Sequence, residues 1–407
     1  MAFTPRSEAN LLSESSSLEA SKTSAGGGRL LLNVAVKSVG MVKVGRHFSS
    51  GVEELAKEAL ESALSDAGWA SVDAVVVSSF VYPRLSGQAD IASYIVSSLG
   101  FGGATAITVE AGEASGLAAA VTAARLAAEG KKVVLLGVDK MSDAPSSRVY
   151  SILKGVYNID WDGVYPISHA AIHGLLADMY MSRYGVDRDT LSYWPALMHS
   201  NAKENPYAML RFAIKPEAVK DAMPVALPLT MLDTFAMGDG AAAVTLSRGD
   251  GGLAVLKAVE AASGPLSISH LDDPLTMPAV KEAWDKARSL AGVNNIDVLE
   301  VHDSYTITGI IILESLGLAE KGTAAKRVAE GYFTPSGEGP TVNASGGLKA
   351  RGHSGGATGV YMLGEIAMQL AGVFPGVNAP GARTGAAVSI NGHGSSAYIA
   401  VLASDAR

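Results

Sequence analysis

The chain has 407 residues and a net charge of -8, without the basic footprint that nucleic acid requires. Hydrophobic residues make up 48% and charged residues only 18%, which suits a large, well-buried α/β core in two similar lobes or one core with an insertion. There is no cysteine, so disulfides, thiolate metal sites and cysteine nucleophiles are all excluded.

No apolar run approaches the ~20 residues that span a bilayer. Residues 1–28 are rich in Ser, Glu, Ala and Gly, without a basic start or an apolar stretch, and read as a disordered tail rather than a signal peptide. A cytoplasmic protein with no membrane and no nucleic-acid partner is expected. Ordered structure is expected from about Arg29, with a buried strand over 30–36. Residues 50–66 carry Val52, Leu55, Ala56, Ala59, Leu60 and Ala63 at helical spacing, ending at Gly68. Strands over 73–79, 106–110 and 131–138 alternate with helices over 87–99 and 114–129. Several of these strands are apolar throughout, which argues for βαβ units in a sheet covered on both faces.

From 142 to about 230 the pattern changes to aromatics, Met and long polar helices, and reads as an inserted cap. Residues 238–246 return to the core pattern. A second series then repeats the first: a strand over 252–259, a helix over 278–291 opened by Pro278, and a strand over 296–301. Helices over 305–316 and 356–370 and a terminal hairpin of 386–390 with 397–402 complete it. The expectation is two duplicated α/β lobes, 29–250 with the cap and 251–407, sharing a ligand cleft.

Four segments break the core pattern at turns. TVEAGEASG (108–116) runs a strand into a helix, so Glu113 sits at an elbow facing a helix N-terminus, a geometry that presents a nucleophile or binds an anion. VHDSYTITG (301–309) is a second such turn. NASGGLKARGHSGGATG (343–359) sets His353 among glycines, Gly346 and Gly347 included, that let backbone amides approach a ligand. INGHGSSA (390–397) is a glycine-rich hairpin with Asn391, His393 and Gly394.

Together with GMVKVGRH (40–47), GVDKMSD (137–143), NPYA (205–208) and MGDGAAAV (237–244), these segments resemble the thiolase superfamily. The resemblance is narrower to the sterol-carrier-protein-X type and archaeal acetyl-CoA acetyltransferases, and runs from about Leu32 to Ser404. It implies an α/β thiolase fold, with two duplicated βαβαβαββ lobes in a layered α/β/α/β/α core and the cap inserted. It implies an acyl-CoA-type thioester ligand, with coenzyme A as part of the substrate and no separate cofactor, and a role in lipid metabolism. It also implies a homodimer or larger oligomer, with an OB-fold, zinc-ribbon protein as a further partner.

Carried over position by position, the resemblance puts the family's acyl-accepting cysteine at Glu113. Its HDCF motif falls at His302 to Tyr305, with Ser304 for the cysteine, and its GHP histidine falls at His353. Asn391 fits the terminal glycine loop, where His393 is unusual. Glu113 then reads either as a carboxylate filling a lost nucleophile position or as a general base beside two histidines. The helix dipole favours its anion and burial its neutral acid. His302 and His353 read as core histidines or as oxyanion donors, and their pairing at two turns favours the second. Ser304 is a poor nucleophile without a base, and Tyr305 is core packing or a proton donor. His393 reads as a surface or hairpin histidine or as an accessory residue lining the pocket. Lys349 and Arg351 read as solvated charges, with Lys349, Gly346, Gly347 and Gly394 as candidate contacts to a phosphate or pantetheine. The eight histidines form no evident ligand cluster, so no metal is expected.

The expected function is to make or break a carbon–carbon bond beside a thioester, without an acyl-cysteine. Glu113 would be the base, with His302 and His353 polarising the carbonyl. The alternative is a silent thiolase-fold subunit that scaffolds an active thiolase, synthase or OB-fold/zinc-ribbon partner.

Overall fold

The computed structural model describes residues 32–165 and 167–405; the expected tail and the first residues of the expected strand over 30–36 lie outside them. The first half of the chain forms β1 (Val34–Met41), α1 (Val52–Ala67), β2 (Ala74–Ser78), α2 (Ile91–Ser98) and β3 (Thr105–Val109). It continues with α3 (Ser115–Ala128) and β4 (Val133–Asp139). The longer helices α4 (Ser146–Lys154), α5 (His169–Tyr184) and α6 (Tyr193–Ala202) precede β5 (Gly240–Arg248). The second half forms β6 (Ala254–Ser263), α7 (Pro278–Ala291), β7 (Val298–Val301), α8 (Thr306–Ser315), β8 (Thr341–Val342) and α9 (Thr358–Leu370). The hairpin of β9 (Thr384–Asn391) and β10 (Ser396–Ser404) ends it.

These strands form one ten-stranded sheet in the order β8-β7-β9-β10-β6-β1-β5-β4-β2-β3. Each five-stranded half has the same order and sense. Strands β2, β3 and β4 run parallel, as do β7, β8 and β9. The remaining pairings, through β5 and β1 in one half and β10 and β6 in the other, are antiparallel. The halves meet where Val34, Ala35 and Val36 pair antiparallel with Leu256, Val255 and Ala254. β2 and β4 are buried along their whole length, as strands covered on both faces must be.

Helices α3 and α9 touch strands of both halves and each other, and so form the central layer, while α1 covers one half and α7 the other. That layer dictates its own composition. α3 is rich in alanine and opens on Ser115 and Gly116, and every residue of α9 is buried. Small residues let backbones approach closely enough to fill the interior at native density. At the crossing, a Cβ on Gly116 would lie 2.7 Å from the Gly359 backbone.

Element boundaries move from expectation where side chains compete with the pattern. The helix expected over 87–99 starts at Ile91, because the Asp90 carboxylate accepts the Ser93 N–H at 3.1 Å and caps it there. β8, only two residues long, shows no periodicity and was not expected. No helix among the described residues is long and apolar enough to cross a membrane.

Candidate active site

Glu113 lies in the turn between β3 and α3, where Gly112 takes φ +60° and Ser115 Oγ accepts the Ala111 N–H at 2.9 Å. The loop after β9 clamps it from the other half of the chain. Asn391 Oδ1 accepts the Glu113 N–H at 3.2 Å, and the Gly392 N–H donates to Glu113 Oε2 at 3.1 Å. A side chain at Gly112 would collide with Asn391. The carboxylate itself is fully buried.

Histidines surround it. His169 Nε2 lies 3.3 Å from Oε2, and His353 Nε2 lies 3.4 Å from Oε1. The His302 and His353 rings pack edge to face at 5.3 Å. Burial pushes the Glu113 carboxyl up, but His169, through its hydrogen bond and its attraction for the anion, and the hydrogen-bond contact of His353 outweigh it. The carboxyl is held well below its usual range. Burial pushes His302 down to about 3, so its ring is neutral at physiological pH. Ser389 Oγ stands 3.5 Å from His302 Nδ1, and Thr358 Oγ1 lies 2.7 Å from His353 Nδ1. In the tautomer in which the hydroxyl donates to Nδ1, the ring proton sits on Nε2. His302 Nε2 meets no hydrogen-bond partner among the described residues, whereas His353 Nε2 has the long 3.4 Å contact to Glu113 Oε1. One donor atom from each of Glu113, His302 and His353 lies within 4.8 Å of the others, a spacing that admits one small guest between them, a substrate oxygen or a cation.

Tyr305 and His169 form the next shell. Tyr305 Oη lies 3.0 Å from His169 Nδ1. Both residues line a cavity of ≈ 590 Å³ whose other walls include Tyr150, Lys154, Ile167, Met223, Met231 and Thr234. Glu113 is not in that lining; it stands behind His169. Phe235 closes the side, its ring edge-on to His353 at 5.1 Å.

The other expected residues fall as follows. His393 is buried rather than at the surface: its ring stacks on Tyr157 at 5.9 Å, because the hairpin turn folds inward over the site. Ser304 Oγ is buried without a hydrogen-bond partner among the described residues, and so has no base to activate it. Lys349 and Arg351 are not solvated charges. Lys349 Nζ donates to the Thr234 carbonyl at 2.8 Å, and burial pushes its ammonium down to about 8. Arg351 Nε lies 3.1 Å from Glu365 Oε1, with both side chains buried. Cβ atoms at Gly346, Gly347 and Gly394 would meet Ala202, the Asn343 and Asp303 side chains, and Met277. What requires glycine there is the protein's own packing.

Residues 34–225 match the family model described as Thiolase, N-terminal domain, and residues 261–404 match Thiolase C-terminal domain-like. An acetyl-CoA acetyltransferase of Methanocaldococcus jannaschii is 33% identical over 355 residues, covering 83% of this chain and 90% of that protein. The chain belongs to the thiolase family. Within the family it is also 30% identical to sterol carrier protein 2 of Homo sapiens, over 87% of this chain and 69% of that protein. A chain of the Ltp2-ChsH2(DUF35) aldolase superposes with a TM-score of 0.78 at 19% identity, over 93% of this chain and 99% of that one, and so shares its fold.

Three members of this thiolase-family site were missed by sequence reasoning. His169, Tyr157 and Phe235 all come from the segment between β4 and β5. The available signal was HAAIH at 169–173, two histidines one helical turn apart directly after Ser168, whose hydroxyl caps α5 by accepting the Ala171 N–H at 3.1 Å. The reading that the histidines form no cluster is corrected: His169, His302 and His353 converge on one carboxylate.

Proposed function

We propose that this thiolase-family protein binds an acyl-CoA-type thioester and makes or breaks a carbon–carbon bond next to its carbonyl, with no acyl-cysteine intermediate. The observation that carries the reading is the buried, ionised Glu113 held between His169 and His353 in a chain that contains no cysteine. Acyl transfer through a thiolate needs a thiol. A buried carboxylate offers proton removal instead.

In the retro-aldol direction, the 3-hydroxyl of a 3-hydroxyacyl thioester loses its proton to the Glu113 system as the bond between C2 and C3 breaks. C3 leaves as a carbonyl, and the thioester becomes an enolate that is reprotonated at C2. His302, with its Nε2 unpartnered, and His353, whose Nε2 makes only a 3.4 Å contact to Glu113, are the natural holders of the enolate oxygen. A neutral imidazole such as His302 suits that task, because it stabilises a developing charge without trapping it. The apolar walls of the cavity fit the acyl portion. The name of the aldolase that shares this fold includes a second component, ChsH2(DUF35). We propose that this chain too works with a small second chain.

The test is turnover of 3-hydroxyacyl-CoA and 3-ketoacyl-CoA thioesters by the purified chain, alone and with a DUF35-type partner. The expected result is aldol cleavage that Glu113→Gln lowers by ~100- to 10,000-fold while thioester binding persists. Equal activity in Glu113→Gln would remove Glu113 from the mechanism. If wild type shows no turnover with or without a partner, a silent scaffolding subunit becomes the reading.

A further inference from the structure

Glu113 carries the charge, but a gap separates it from the cavity where a substrate would sit, whose lining does not include it. Two other side chains bridge that gap. Tyr305 Oη reaches His169 Nδ1 at 3.0 Å, and His169 Nε2 reaches Glu113 Oε2 at 3.3 Å. Tyr305 and His169 both line the cavity. The chain of contacts therefore runs hydroxyl, imidazole, carboxylate, in the order used wherever a carboxylate orients a histidine that activates a hydroxyl.

We propose that Tyr305, His169 and Glu113 form a proton relay in which the Tyr305 hydroxyl is the group that meets the substrate, His169 is the base behind it, and Glu113 orients and stabilises His169. The proposal rests on the aldol reading of this same site. As the bond between C2 and C3 breaks, the substrate 3-hydroxyl gives its proton to Tyr305 Oη, which passes its own to His169 Nδ1. His169 becomes an imidazolium paired with the Glu113 carboxylate. The relay then runs backwards and returns one proton to C2 of the enolate. No proton is gained or lost overall, and no co-reactant is needed.

The surroundings support this assignment of roles. Burial and the nearby Glu113 charge push the Tyr305 hydroxyl well above its ordinary value, so it passes a proton on rather than resting as a phenolate. The titratable groups around His169 are Glu113, Tyr305, Tyr157, His173, His302 and His393. Burial pushes His173 and His302 to about 3 and His393 down, so these rings stay neutral beside an imidazolium at His169. Tyr157 is pushed well above its ordinary value, chiefly by burial. Glu113 is thus the anion of the group. His173 stacks on Tyr305 at 4.3 Å and its Nδ1 lies 3.0 Å from the His169 carbonyl, which fixes the relay's geometry from behind.

The experiment compares wild type, Tyr305→Phe, His169→Gln and the double variant, each with its DUF35-type partner. Substrates run from 3-hydroxybutyryl-CoA to 3-hydroxy-3-phenylpropanoyl-CoA. Tyr305→Phe and His169→Gln should each lower kcat by ~100- to 10,000-fold with KM little changed, and the double variant should be no worse than either alone. Histidine ¹⁵N resonances report independently on the contacts: Tyr305→Phe should move His169 Nδ1, and Glu113→Gln should move Nε2. If wild type turns over and Tyr305→Phe keeps its rate, the relay is overturned while the aldol reading stands. An unmoved His169 Nδ1 resonance in Tyr305→Phe overturns it too. Failure of wild type to turn over any substrate overturns both.

Discussion

The crossing of α3 and α9 is where the fold and the site can be perturbed together. Gly116→Ala would place a Cβ 2.7 Å from Gly359 Cα and 2.8 Å from Val360 N, backbone atoms that no rotamer change can move. Carbon contacts settle near ~3.5–4.0 Å, so the helices must part by roughly 1 Å. Glu113 lies just before the N-cap of α3 and His353 a few residues before α9, so their 3.4 Å contact opens by a comparable amount. Overpacking of this kind costs ~1–3 kcal/mol. A misplacement of ~1 Å at reacting groups costs on the order of 100-fold in rate. Urea unfolding midpoints and turnover on a 3-hydroxyacyl-CoA would read the two effects side by side. Gly102→Ala, whose added Cβ meets no atom within 4 Å, is the control and should change neither. A Gly116→Ala protein with the wild-type midpoint and rate would refute the claim that this close approach sets the spacing of the site.

Other predictions concern buried charges. His353→Ala removes an oxyanion donor and should lower kcat by ~100- to 1,000-fold. Glu113 is held below its unfolded value of ~4.3, so its stabilising contribution is full above that pH and is lost as pH falls through the lower folded value. Acid titration of unfolding free energy should show this loss in wild type and not in Glu113→Gln. Lys349 falls to about 8 from 10.5, so the unfolded chain binds more protons between those values and stability rises with pH across them, by roughly 3 kcal/mol. Lys349→Met should flatten that rise in urea titrations at pH 8 to 10.5. Arg351→Met strands Glu365 in the interior and should cost ~3–5 kcal/mol by the same unfolding measurement.

Much of the fold was legible because it is written in local periodicity. Apolar runs at β2 and β4, the helical spacing through α1 and the proline opening α7 each respond to forces acting within a few residues. The repeated order of elements was visible for the same reason. The turns carrying Glu113, His302, His353 and Asn391 were also legible, because glycine-rich strand ends break the core pattern. What the sequence could not decide is where long-range packing sends a polar group. Lys349 and Arg351 look like surface charges in any local window, and only the interior supplies the Thr234 carbonyl and the Glu365 carboxylate that hold them there. His393 looks like a hairpin residue until Tyr157, far away along the chain, stacks on it. His169 is the sharpest case. Nothing within its helix sets it apart from His173, yet one lies against Glu113 and the other against the His169 carbonyl. That difference arises only when α5, from one half of the chain, closes over a carboxylate clamped by a hairpin from the other.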